Sequence, residues 1–282
     1  MLPFIKVEGL GNHFVLVDER AVGPRDWPAV AREVCPRGTA VGADGLLATA
    51  EPSDPSATVR MRMFNPDGSE DMCGNGLRCV ALVEAERRGI RSGREFIVET
   101  LAGLRSASVT DAGEGTTTVR TSLGLPVLRP SEFPALVEGE SALERLLAVA
   151  GEELVVSLVS MGTPHCVIFG DPPDERRFAD LSPKIEVSHL FPAGISIMWA
   201  TVEGCCGLRM RIWERAVGET EACGTGACAA AVAGVLTGRV RVPVAVSMPG
   251  GTLAVDWAGP GTEVMQSGPA RKVFSAEWIV CH

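Results

Sequence analysis

The sequence predicts an α+β protein of two pseudo-symmetric lobes, each a mixed sheet rolled into a barrel around a central apolar helix. Three observations carry that expectation. Asp71-Met72-Cys73-Gly74-Asn75-Gly76 returns 150 residues later as Glu221-Ala222-Cys223-Gly224-Thr225-Gly226, in unbroken register from Gly68/Gly218 to Gly76/Gly226. Upstream of each copy lies a segment alternating apolar residues with Arg, Val59–Phe64 and Leu208–Trp213, the period of a half-buried strand. Downstream, Leu77–Ala85 and Cys223–Leu236 are apolar almost all round, so both helices belong inside the fold. Short strands packed on one interior helix per lobe give the class. Residues 1–126 form the expected N-terminal lobe carrying Cys73, and 127–270 the C-terminal lobe carrying Cys223. The last residues, 271–282, are expected to cross back to the first lobe.

In order, Phe4–Asp18 reads as two strand segments around the turn Gly9-Leu10-Gly11-Asn12, because glycines punctuate an otherwise apolar alternation. Trp27–Cys35 is a short helix started by Asp26 with Pro28 in its first turn, the position where proline's missing N–H does no harm. Val41–Leu47 and Thr58–Phe64 are strands, followed by the turn Asn65-Pro66-Asp67-Gly68 and the first cysteine motif. After the first interior helix come strands at Glu95–Thr100, Leu104–Thr110 and Thr116–Ser122, then a connector from Pro126 to Pro134. The second lobe is expected to begin with a polar helix near Ser141–Ala150 and a strand into Met161–Phe169. Strands at Val240–Met248, Gly251–Trp257 and Val264–Trp278 end the chain. His13 and His165 stand 152 residues apart in matching surroundings, another trace of the repeat.

At 282 residues and 46% hydrophobic, the chain can bury two cores. A net charge of −9 argues against nucleic acid or an anionic membrane as partner. Nine cysteines, an odd number, without a signal-peptide pattern or an apolar run near 18 residues, point to a reducing cytoplasm. A metal site is not expected: no Cys-x-x-Cys occurs, and the four His are scattered at 13, 165, 189 and 282. No cofactor is expected either. Gly224–Ala229 fits a loose dinucleotide pattern, but no acid follows before Asp256 to hold a ribose. Only Lys6, Lys184 and Lys272 are present, none in the paired motif, which gives pyridoxal chemistry no anchor.

The paired motif suggests chemistry of its own. Each Cys precedes a Gly-x-Gly that opens a helix, where unpaired N–H groups and the helix dipole favour negative charge. A thiol there is expected to have its pKa lowered from about 8.5, and a substrate carboxylate can approach the same N–H groups. Two such ends facing each other would hold one α-carbon between two sulfurs. One sulfur would take a proton from one face while the other returned a proton to the opposite face. A lone Cys before Gly is normally a turn with a buried thiol, His165 alone would be structural, and Arg215 alone would be a surface charge; the repeat in register outweighs those readings.

Asn65–Glu70 with Cys73–Cys79, and Trp213–Thr220 with Ala222–Cys228, resemble the two signatures of the diaminopimelate epimerase family. Gly9–Asn12, Gly42–Gly45 and Met161–Cys166 are similar to other blocks of that family, so the resemblance spans nearly the whole chain. It implies a cofactor-independent isomerase that interconverts LL- and meso-diaminopimelate for lysine and peptidoglycan synthesis, and a homodimer. By position it implies Cys73 and Cys223 as the catalytic pair, assisted by His165 and Glu214. Substrate contacts fall on Asn12, Asn65, Gly74, Asn75, Thr163, Ser196, Glu214, Arg215, Gly224 and Thr225. The chain departs from the family at four places. Asn65–Cys73 is one residue shorter than in many members, His13 stands where Asp is common, and Thr163 and Ser196 stand where Asn is usual. The last two fall at positions associated with the substrate's distal end. The competing readings are therefore a racemase of the same mechanism for another amino acid, a related isomerase lacking paired thiols, or a non-catalytic binding protein.

Overall fold

The computed structural model describes residues 1–111, 117–149, 151–171 and 173–279. It is an α+β chain in two compact units, Met1–Ser122 with the segment from Ser267 onward, and Leu123–Gln266.

The first unit runs β1 (Leu2–Gly9), β2 (Asn12–Asp18), α1 (Glu19–Val22), α2 (Trp27–Val34), β3 (Gly45–Ala50), β4 (Val59–Phe64), β5 (Glu70–Asp71), α3 (Gly74–Arg87), β6 (Phe96–Thr100), β7 (Gly103–Asp111) and β8 (Thr117–Ser122). β1 and β2 form a hairpin whose turn holds Leu10 and Gly11 at positive φ. β2 pairs parallel to β3, and β4 parallel to β6, with antiparallel pairs between. As expected from Asp26, its side chain caps α2 by accepting from Ala29 N–H at 3.1 Å. α2 buries Trp27, Val30, Ala31 and Val34 against Val15, Val17, Leu46 and Ala48. α3 packs against β1, β7 and β8, and every residue from Gly74 to Ala85 is buried. That includes two charges inside the apolar run. Arg78 bonds to Asn75 Oδ1 (2.7 Å), and Glu84 binds Arg20 (2.5 Å) and Arg88 (3.2 Å).

The second unit repeats the plan: β9 (Arg145–Val149), β10 (Glu152–Ser160), β11 (Pro164–Phe169), α4 (Glu175–Glu186), β12 (Ser196–Val202), β13 (Gly207–Glu214), β14 (Gly218–Thr220), α5 (Gly224–Leu236), β15 (Val244–Met248) and β16 (Gly251–Asp256). β11 pairs parallel to β12, and β13 parallel to β15, matching the first unit. α5 packs against β10, β11, β12 and β16. After β17 (Met265–Pro269), β18 (Arg271–Trp278) pairs antiparallel with β1.

One expectation is overturned. The helix expected near Ser141–Ala150 is instead β9, which pairs antiparallel with β10 (Ala150 lies outside the described residues). Gly151, at φ +83, closes this hairpin, and cross-strand pairing overrides the helix-forming composition of Ala142–Leu147. Among the elements the sequence did not announce are α4 and β12. α4 starts at Asp174, whose side chain accepts from Arg177 N–H at 2.7 Å. It buries Phe178, Leu181 and Ile185 against Ile168, Ile197 and Trp199, roughly 1.5–3 kcal/mol for each such side chain. α4 thus occupies in this unit the place of α2 in the first.

Candidate active site

Both cysteines of the repeat are helix caps. Cys73 precedes α3 with φ −128 and ψ 119, and Cys223 precedes α5 with φ −134 and ψ 107. Each sulfur accepts from the N–H three residues on, Gly76 or Gly226, at 3.4 Å. The glycines are steric requirements. A Cβ at Gly76 would lie 2.9 Å from Leu47 Cδ2, and one at Gly226 would lie 2.5 Å from Met198 Sδ and 3.2 Å from the Cys223 sulfur. Gly74 and Gly224, the first helical residues, are buried.

In the first unit Cys73 is half-buried. Asn75 donates through Nδ2 to Asn12 Oδ1 at 2.5 Å and accepts from the fully buried Arg78. Arg78, in the sequence only one residue of the interior helix, therefore fixes the orientation of the Asn75 amide. A cation in the apolar first half of the helix is the signal for it. Asn65 bonds within its own turn, to Ser69 Oγ at 3.1 Å. His13 donates its backbone N–H to Asp44 Oδ2 at 2.8 Å.

In the second unit the structure gathers Cys223, Glu214 and Thr225. The Cys223 sulfur lies 3.5 Å from Thr225 Oγ1, and Glu214 accepts from Thr220 Oγ1 at 2.6 Å. Thr220 is a further member that the sequence did not single out. Burial, and then the neighbouring Glu214 charge, push the Cys223 thiol well up, against the smaller pull of Thr225 and the Gly226 N–H. The lowered pKa expected at a helix start is thus overturned for Cys223: loss of solvent outweighs the helix end. Burial likewise raises Glu214.

A second group lies on the parallel strands β11 and β12, where His165 faces Ser196 in register. Thr163 Oγ1 is 3.2 Å from His165 Nε2, and Ser196 Oγ accepts from Arg215 N–H at 3.1 Å. The Arg215 guanidinium donates to Ala193 O at 3.0 Å. Burial, with the Arg215 charge behind it, lowers the His165 pKa to about 3, so the ring is neutral. Its Nδ1 is buried with no hydrogen-bond partner among the described residues. Among those residues no cluster of three His, Cys, Asp or Glu side chains suits a metal ion.

The diaminopimelate epimerase family model matches residues 4–128 and 157–273. The chain belongs to the diaminopimelate epimerase family. It is 44% identical over 280 residues to the diaminopimelate epimerase of Desulforudis audaxviator, covering 99% of each chain. With that of Moorella thermoacetica it shares 43% over 279 residues, 98% of this chain and 99% of the relative. The chloroplastic diaminopimelate epimerase of Oryza sativa subsp. japonica is 39% identical over 97% of this chain and 79% of its own length. Membership makes the chain an epimerase, an isomerase by reaction class. The fold is shared more widely. A hydroxyproline epimerase from Agrobacterium vitis superposes with a TM-score of 0.66 at 16% identity, covering 98% of this chain and 91% of that one. A PhzF-family phenazine biosynthesis protein from Bacillus anthracis does so with a TM-score of 0.67 at 16% identity, covering 99% of both.

Proposed function

We propose that this protein interconverts LL- and meso-diaminopimelate, with Cys73 and Cys223 as the base and acid at the α-carbon. The observation that carries the reading is the pair of matched cysteine caps in a chain 44% identical to a diaminopimelate epimerase. In the proposed step a thiolate removes the α-proton, and the bond's electron pair moves into the carboxylate as an enolate. The opposite thiol then delivers its own proton to the other face, leaving the second sulfur as thiolate, so the two swap roles on each turnover. Burial and Glu214 favour the thiol form of Cys223, the form in which it serves as the acid while Cys73 serves as the base; in the reverse direction the roles exchange. Backbone N–H groups at the two helix starts bind the carboxylate and stabilise the enolate, each donor contributing about 3 kcal/mol by analogy with oxyanion holes. Neutral His165 and Glu214 assist the thiols. Asn12, Asn65, Asn75, Arg215 and Thr225 hold the substrate, and Thr163 and Ser196 face its distal end.

The reading needs no cofactor. No described helix is long and apolar enough to cross a membrane, and a cytoplasmic, homodimeric enzyme accords with the acidic composition and with β18, which leaves Val273 and Phe274 about half exposed. The competing reading, a racemase for a different amino acid, is favoured by Thr163 and Ser196, whose hydroxyls are already engaged by His165 and the Arg215 backbone. Turnover of LL-diaminopimelate beside a panel of mono-amino acids separates the two. Activity confined to a mono-amino acid would remove the diaminopimelate assignment and leave the two-thiol mechanism standing.

A further inference from the structure

Cys205 and Cys206 take no part in the chemistry above. They sit in the turn between β12 and β13, closed by Glu203 N–H donating to Gly207 O at 2.8 Å. Adjacent side chains on a strand point to opposite faces, yet here the two sulfurs converge to 3.2 Å. Backbone bonds fix that departure. Arg241 N–H donates to Cys205 O at 2.7 Å, and Ala245 N–H to Cys206 O at 2.8 Å. Gly204 holds positive φ, and a Cβ at Gly207 would lie 2.5 Å from Glu203 O. Cys205 is exposed and Cys206 half-buried, whereas Cys35, Cys79 and Cys166 are buried, their pKa values pushed up to about 11, 12 and 12.

We propose that Cys205 and Cys206 form a reversible dithiol–disulfide site that exchanges with low-molecular-weight disulfides of the glutathione type. The exposed Cys205 loses its proton and attacks one sulfur of the small disulfide. A mixed disulfide forms, and the first small thiol leaves with that proton. Cys206 then loses its proton and attacks the Cys205 sulfur, forming the Cys205–Cys206 bond and releasing the second small thiol. Two protein thiols are oxidised, one small disulfide is reduced to two thiols, and no other oxidant is required. Adjacent Cα atoms lie about 3.8 Å apart, closer than the ~4.4 Å at which ordinary disulfides begin. The product is therefore strained and easily reduced again, as labile and regulatory disulfides are. The turn lies at the far end of the β12–β13 hairpin from Ser196 and Glu214, roughly 20 Å along seven strand residues. It is a site separate from the proposed active site.

The test uses full-length protein carrying Cys73→Ala and Cys223→Ala, so that the catalytic thiols cannot contribute. After incubation with oxidised glutathione, alkylation and digestion, mass spectrometry should find the peptide spanning residues 205 and 206 lighter by two hydrogen atoms, unalkylated and without glutathione. Dithiothreitol should restore two alkylated cysteines. Adding Cys206→Ser should trap one glutathione on Cys205. Persistent glutathione on the parent peptide, or a peptide that stays fully alkylated in both proteins, overturns the proposal. Neither result bears on the epimerase reading.

Discussion

Acid should destabilise this protein through His165. The ring is 1% exposed, and lost solvation, reinforced by the Arg215 charge, takes its pKa from 6.5 to about 3. Between those values the folded protein keeps the ring neutral while the unfolded chain binds a proton. With more protons on the unfolded state, stability rises with pH across this window and is lost as pH falls through it. One such proton changes stability by about 1.4 kcal/mol per pH unit. Moving from pH 7 to pH 5 therefore removes about 2 kcal/mol that a His165→Gln variant would not lose. Glu214, whose raised pKa acts with the opposite sign, is common to both proteins and cancels in the comparison. Urea unfolding followed by tryptophan fluorescence at the two pH values measures the difference. Parallel losses in wild type and variant would refute the buried neutral histidine.

Replacing Cys73 or Cys223 by Ser should lower epimerisation by about 10²–10⁴-fold or more, the usual range for a lost general acid or base, while circular dichroism stays unchanged. A variant retaining the wild-type rate would end the two-base reading. Gly226→Ala places a methyl group 3.2 Å from the Cys223 sulfur and 2.5 Å from Met198 Sδ. The displaced thiol should reduce kcat by about 100-fold, with a smaller effect on KM. Glu84→Ala leaves the half-buried Arg20 guanidinium with Asp18 alone. A loss of about 1.5–3 kcal/mol is expected in urea unfolding, the range for a hydrogen bond to a charged group; a loss below 1 kcal/mol would show that Asp18 suffices.

Much of this was readable from the residues because the repeat carries local signals. Asp26-Trp27-Pro28 announces α2, and the Cys-Gly-x-Gly starts announce α3 and α5 at the places found. β9 was hidden because Ala142–Leu147 has good helix formers, and its strand state depends on β10 and the Gly151 turn. α4 is legible in part. Asp174 is a cap, and Phe178, Leu181 and Ile185 recur at helical spacing, but Pro183 interrupts the pattern. β12 reads as an unpunctuated apolar run, buried from Ser196 to Ala200, which carries no period to distinguish strand from helix. The candidate site residues follow from the repeat and the family resemblance. The state of Cys223 does not, because its pKa is set by enclosure and by Glu214, neither visible in a linear motif.

The measurement that reaches the central claim most directly is the fate of hydrogen when LL-diaminopimelate turns over in deuterated water without added cofactor. Two thiols on opposite faces predict that early product carries solvent deuterium at the inverted carbon while unreacted substrate keeps its hydrogen. Product that retains the substrate's own hydrogen would show one base working both faces and contradict the paired-cysteine account.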